Sequence, residues 1–261
     1  MHIAGFSSEL LASLFLAASL AGFIDTLAGG GGLITMPALI MSGVPPLAVL
    51  GTNKLQSSMG TATATYMMLK TKRVHWHDVR HLMLYAFLGA ALGALGIQFV
   101  DADSLSLVIP AVLLFIAVYF LFSPQLRERH AAPRLSSGKY RNVIMPLIGC
   151  YDGMFGPGTG SFFTLAGVSL RGCGLIDATA IAKTLNFSTN IASLMVFMSA
   201  GKVVWVVGIF MMSGQLIGAW MGSHCLFKLN PKYLRFLVVA VWSGLLVKYV
   251  PTTGWFKGAF G

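Results

Sequence analysis

The sequence predicts an all-α, polytopic integral membrane protein built from two homologous helical repeats with Gly-rich broken or re-entrant helices, and three observations carry that expectation. Of 261 residues, 56% are hydrophobic and only 10% charged, too little charge to clothe a soluble domain of this size. The apolar residues fall in long runs, and about 20 residues suffice to cross the hydrocarbon core of a bilayer. Gly-rich interruptions recur at matching places in the two halves, as internal duplications do.

Taken in order, residues 10–27 form the first apolar run. It lacks a basic leader and a clean cleavage site after Ala28, so it reads as a retained membrane helix. Four glycines, Gly29 to Gly32, interrupt it. Residues 33–41 follow and are too short to span alone, which suggests a half-helix or re-entrant piece. Spans are predicted at 55–69, 82–100 and 105–122. A polar stretch with Pro, Arg, Ser and Gly then divides the chain into a first repeat (1–123), a cytoplasmic linker (124–141) and a second repeat (142–261). The second repeat holds a shorter apolar run at 143–155, a short Gly-flanked piece at 161–170, and spans at 178–200, 203–227 and 234–250.

The duplication is visible in single residues. Gly22-Phe23-Ile24-Asp25 followed by Gly29 and Gly31 matches Gly149-Cys150-Tyr151-Asp152 followed by Gly156 and Gly158. Lys54 aligns with Lys183, Trp76 with Trp205, and Gly89 and Gly93 with Gly218 and Gly222, all at one constant offset. Basic loops around Lys70–Arg80 and Arg127–Arg141 flank an acidic turn, Asp101-Ala102-Asp103. By the positive-inside rule both basic loops face the cytoplasm. Lys228, Lys232 and Arg235 outweigh the lone Lys202, which favours an inverted second repeat, with parallel halves left open.

The formal net charge of +10 resides in these loops, so it argues for membrane orientation and against nucleic-acid binding. Cys150, Cys173 and Cys225 show no metal or redox spacing, and His75, His77 and His81 lie in a basic loop without cysteine partners; no metal site, cofactor or catalytic residue is expected. An enzyme embedded in the membrane would need a nucleophile–base or metal constellation that the apolar segments lack.

Two constellations carry candidate chemistry. The first is the pair of breaks, Asp25 through Gly32 and Asp152 through Ser161. Glycines free the backbone there, and a helix starting after each break would aim unpaired N–H groups and its positive end at an anion. Gly29, Gly31, Gly158, Thr159 and Ser161 are the binding candidates. Close helix packing is the competing account of the glycines, and it also fits the Gly214, Gly218, Gly222 ladder, whose face could alternatively seat a homodimer. The second constellation is Asn53 and Lys54 in one half with Lys183, Asn186 and Asn190 in the other, donors suited to oxyanion oxygens. Asp25 and Asp152 are candidates for an ion pair or a coupling proton; the bland pairing is Asp25 with Lys54 and Asp152 with Lys183, and capping of the following half-helix is a further option.

The run Ala21 through Leu39, the segment Gly51-Thr52-Asn53-Lys54-Leu55-Gln56, the run Tyr151 through Phe162 and the stretch Ala182 through Asn190 together resemble the signatures of the sulfite exporter TauE/SafE family, also called toluene sulfonate uptake permeases. The resemblance covers nearly the whole chain. It implies a multi-pass protein of the bacterial inner membrane, in the YfcA-like branch, that moves a small anion such as sulfite, sulfoacetate or a sulfonate, with proton coupling. The expected mode is alternating access between the repeats, a passive anion channel being the alternative. Expected partners are a small anionic substrate and membrane lipid.

Overall fold

The computed structural model describes residues 2–3, 5–122 and 132–225, which are helical almost throughout. A minimal hairpin, β1 (His2–Ile3) with β2 (Phe6–Ser7), leads into α1 (Ser8–Ala28). Then follow α2 (Gly32–Met41), α3 (Pro46–Lys70), α4 (Trp76–Gly96) and α5 (Ala102–Phe122). A single turn, α6 (Ser137–Lys139), and a π-turn over Tyr140–Ile144 run into α7 (Met145–Met154). The described chain ends with α8 (Thr159–Arg171), α9 (Leu175–Ser199) and α10 (Trp205–Cys225). The predicted span at 234–250 and residues 124–131 of the predicted linker lie outside the described residues.

Local chemistry explains the boundaries. Ser7 caps α1 by accepting a hydrogen bond from Leu10 N–H at 3.2 Å. Gly29, at φ 76°, ends it in the left-handed conformation. Pro46 opens α3, where a missing N–H costs nothing. The sequence placed the corresponding span at 55–69, but the helix already includes Gly51, Thr52, Asn53 and Lys54. Those side chains are shielded by neighbouring helices, a context that hydropathy along a single chain does not register.

Among the described residues, four segments are long and apolar enough to cross a membrane: Ser8–Leu27, Trp76–Phe99, Ala102–Tyr119 and Trp205–Cys225. On α4, Leu84, Leu88, Leu92 and Leu95 form one exposed apolar stripe, the face expected against lipid. Helices α3 and α9, 25 residues each, are different. They bury polar side chains along their length, including Thr52, Gln56, Thr61 and Thr65 on α3 and Thr184, Ser188, Thr189 and Ser193 on α9. Polar side chains of this kind in an apolar surround are kept off the lipid by protein. At 10 and 13 residues, α2 and α8 extend only about 15 and 20 Å, short of a bilayer core.

The packing is reciprocal. Helices α3 and α9 lie against each other at the centre, α10 flanks α3, and α4 flanks α9. Outside these, α1 packs on α10 and α7 packs on α4. Glycines make both outer contacts possible. A Cβ on Gly22 would sit 2.5 Å from Gln215 O, and one on Gly222 would sit 2.8 Å from Phe23 O. On the other side, Gly89 and Gly93 of α4 meet the backbone of Pro146 and Cys150 on α7. The Gly214, Gly218, Gly222 ladder is therefore seated on α1 of the same chain, so that face is filled without a second copy.

Candidate functional site

The two Gly-rich breaks, 127 residues apart in sequence, meet in space. A Cβ on Gly29 would approach Ser161 N at 2.7 Å and Gly160 C at 2.9 Å; one on Gly32 would lie 3.2 Å from Pro157 Cα. Backbone approaches this close admit no side chain on Gly29, whose φ of 76° already favours glycine. The second break is braced from outside. Tyr151 donates from its hydroxyl to Pro157 O at 2.7 Å, and its ring packs edge-on against Phe162 at 5.2 Å.

Each break is spanned by its own aspartate. Asp25 Oδ1 accepts from Gly31 N–H at 3.1 Å, at the start of α2. Asp152 Oδ1 accepts from the Thr159 hydroxyl at 2.9 Å, at the start of α8. The geometry is that of an acidic group holding the positive end of a short helix, and neither Gly31 nor Gly158 has a side chain that could do so.

The lysines reach across the halves, which corrects the pairing expected from sequence. Lys54 of α3 pairs with Asp152, not Asp25, at 2.8 Å, and also donates to the Asp152 carbonyl. Lys183 of α9 donates to the carbonyl of Asp25, and its ammonium lies 4.0 Å from Asp25 Oδ2. Each lysine thus caps the C-terminal end of the broken helix from the other half, where a positive charge complements exposed carbonyls. Sequence aligns Lys54 with Lys183; the packing decides which aspartate each one meets.

The two pairs are unequal. Lys54 and Asp152 have side chains 1% and 2% exposed; Lys183 is 2% exposed but Asp25 is 14% exposed. Asp152 Oδ2 is buried without a hydrogen-bond partner.

The predicted asparagines divide. Asn186 and Asn190 lie beside the Lys183 end: Asn190 Nδ2 donates to Asn186 Oδ1 at 3.4 Å. Asn53 instead accepts at Oδ1 from Thr35 of α2 at 2.7 Å and from Gln56 at 2.8 Å. Its first partner ties α2 to the central helix. Gly29, Gly160, Ser161, Lys183 and Asn186 therefore form one cluster, while Lys54, Asp152, Gly156 and Thr159 form another beside it. Thr35, Gln56, Tyr151 and Gly160 were not among the site candidates read from the sequence; a polar residue inside an apolar run was the available signal for the first two. Among the described residues no group of three His, Cys, Asp or Glu side chains could hold a metal, and the three cysteines are unpaired.

A helical envelope with an apolar exterior, enclosing buried charge at two meeting helix breaks, defines an integral membrane protein with a polar centre. The profile of the family described as Sulfite exporter TauE/SafE matches residues 14–249. The chain belongs to that family and is by family a membrane transporter. It is 42% identical over 248 residues to the "Probable membrane transporter protein" of Haemophilus influenzae, covering 95% of this chain and 97% of that one. It is 43% identical over 240 residues to the "Probable membrane transporter protein ORF9" of Sinorhizobium sp, covering 92% of each. With the "Probable membrane transporter protein YfcA" of Escherichia coli K12 it shares 42% identity over 235 residues, 90% of this chain and 87% of that one. No solved structure matches the chain.

Proposed function

We propose that this protein is a secondary transporter that carries a small anion, a sulfur oxyanion or organosulfonate, across the bacterial inner membrane. Transport proceeds by alternating access between two repeats, residues 1–123 and 142–261, joined by a cytoplasmic linker and inverted relative to each other. Helices α2 and α8 serve as the re-entrant elements. One observation carries this reading: the two breaks meet, and each is bordered by a buried lysine from the opposite half. Lysines beside helix N-termini present positive charge and N–H donors to an anion. Reciprocal packing of α1 on α10 and of α7 on α4 supports the exchange of roles between repeats.

A charge count supports proton coupling. Two lysines and two aspartates leave the centre neutral. A monoanion entering alone would leave an uncompensated buried charge, which is costly in low dielectric. A proton taken up with the anion restores neutrality. Asp25, 14% exposed, is the more accessible of the two carboxylates to that proton.

Reconstitution into proteoliposomes tests the reading. Uptake of radiolabelled sulfite or thiosulfate should saturate and rise with an inward proton gradient, and Lys54→Ala and Lys183→Ala should each reduce it at least about tenfold. Uptake unchanged in both variants would refute the site. Linear, gradient-independent flux would instead mark a passive channel.

A further inference from the structure

We propose that the anion is bound on one side of the centre only, by Lys183 and Asn186 over Gly160, and that Lys54 is not a ligand in this conformation. The proposal rests on the anion-transport reading and narrows it to one of two related half-sites.

Three observations single out this half. First, the Cβ that Gly160 lacks would lie 3.6 Å from both Lys183 Nζ and Asn186 Nδ2. Two nitrogen donors from successive turns of α9 converge on this point, at the first turn of the 13-residue helix α8 and beside the Gly29 Cα, which would lie 3.0 Å from the same Cβ. Second, Asn186 is 6% exposed, and its one hydrogen bond among the described residues is accepted by Oδ1. Its Nδ2 has no acceptor among the described residues and is not wholly sealed from solvent, so it is open to a ligand or water. Third, Lys183 gives one proton to a carbonyl while its carboxylate partner stands 4.0 Å away.

The related half differs at each point. Lys54 is held by Asp152 through two of its three N–H groups, at 2.8 Å to the carboxylate and with a second bond to the carbonyl. The carboxylate is further occupied by Thr159. At the position equivalent to Asn186 the repeat carries Ser57, whose hydroxyl accepts from Gln56 Nε2 at 3.0 Å.

The chemistry of the half-site fixes the ligand class. Ammonium and amide N–H groups donate only, and the first turn of a helix donates as well. A tetrahedral or pyramidal oxyanion presents two oxygens to such donors at once. Chloride, with one centre, gains no second acceptor, so oxyanions are preferred.

The test uses the purified full chain. Its melting point is followed against sulfite, thiosulfate and chloride at matched ionic strength, since a ligand of the native state raises it by mass action. Wild type should be stabilised by sulfite or thiosulfate more than by chloride. Asn186→Leu, which removes the donor, should weaken that affinity about tenfold or more, the effect of one hydrogen bond to a charged group. Asn186→Ser is the second variant should leucine impair folding, and it should bind more weakly than wild type. Retention of wild-type affinity, within about twofold, by Asn186→Ser and, where it folds, by Asn186→Leu would overturn the half-site assignment and leave the transporter reading standing. Failure of every probe to shift the wild-type melting point would overturn the half-site and the sulfur-oxyanion substrate together.

Discussion

Replacing Lys54 by Met should strongly destabilise the protein. The substitution keeps the length and apolar stem but removes an ammonium 2.8 Å from Asp152 Oδ1, at a position where both side chains are at most 2% exposed. The carboxylate left behind would retain Thr159 as a partner but no charge to offset it. Breaking a buried pair from one side costs about 3–5 kcal/mol, because the remaining charge is stranded in low dielectric. For a chain of this size each kcal/mol shifts melting by about 2–4 °C, so the expected drop is about 6–20 °C. Removing both charges together, in Lys54→Met/Asp152→Leu, should recover most of it, since hydrophobic replacement of a buried pair is often neutral. Asp25→Asn should cost less, because its carboxylate is 4.0 Å from Lys183 and 14% exposed. Thermal melting of the detergent-solubilised protein at a fixed scan rate compares the three variants with wild type. A Lys54→Met variant that melts within about 2 °C of wild type, or a double variant as unstable as the single, would refute the reasoning.

Gly29→Ala should abolish accumulation of folded protein, judged by monodisperse elution in detergent; its Cβ would face Ser161 N at 2.7 Å at a φ of 76°, where both the backbone and the opposing break must move. Gly218→Leu should do the same by forcing α10 off α1, whereas Gly96→Leu, with open space at its Cβ, should be tolerated. At the start of α5, Asp101 accepts from the backbone N–H of Ser104 at 2.7 Å and from its hydroxyl at 2.9 Å, which holds its carboxyl below the ordinary value of 3.8. A depressed folded-state pKa contributes stability that is present above the unfolded value and lost as pH falls through the folded one. The melting-point gap between wild type and Asp101→Ala should therefore be constant at neutral pH and shrink below 3.8.

Much of the helix pattern was legible because lipid-facing helices must be apolar, and α1, α4, α5 and α10 stand out for that reason. The short elements α2 and α8 were legible through the glycines that start them. The start of α3 was not, since Asn53 and Lys54 look like a polar boundary until one sees that α9 and α10 cover that helix. The conjunction of Lys54 with Asp152 was hidden for a related reason. Sequence alignment relates equivalent positions but does not say which of two equivalent partners is nearer, and the packing of α1 on α10 and α7 on α4 decides that. Gly160 went unnoticed among many glycines; what distinguishes it is the pair of nitrogens facing it, which only the fold supplies.

The crossed pairing also bears on how the chain comes to exist. Translation delivers Asp25 and Lys54 to the bilayer well before Asp152 and Lys183. Until the later half arrives, the ammonium of Lys54 lacks its eventual counter-ion, so the early half is an incomplete product that the insertion machinery and its proteases encounter first. Neither half can mature on its own. Yet two separately synthesised fragments, cut in the segment between α5 and α6, should rescue each other in the same membrane, because each carries the charge that the other is missing.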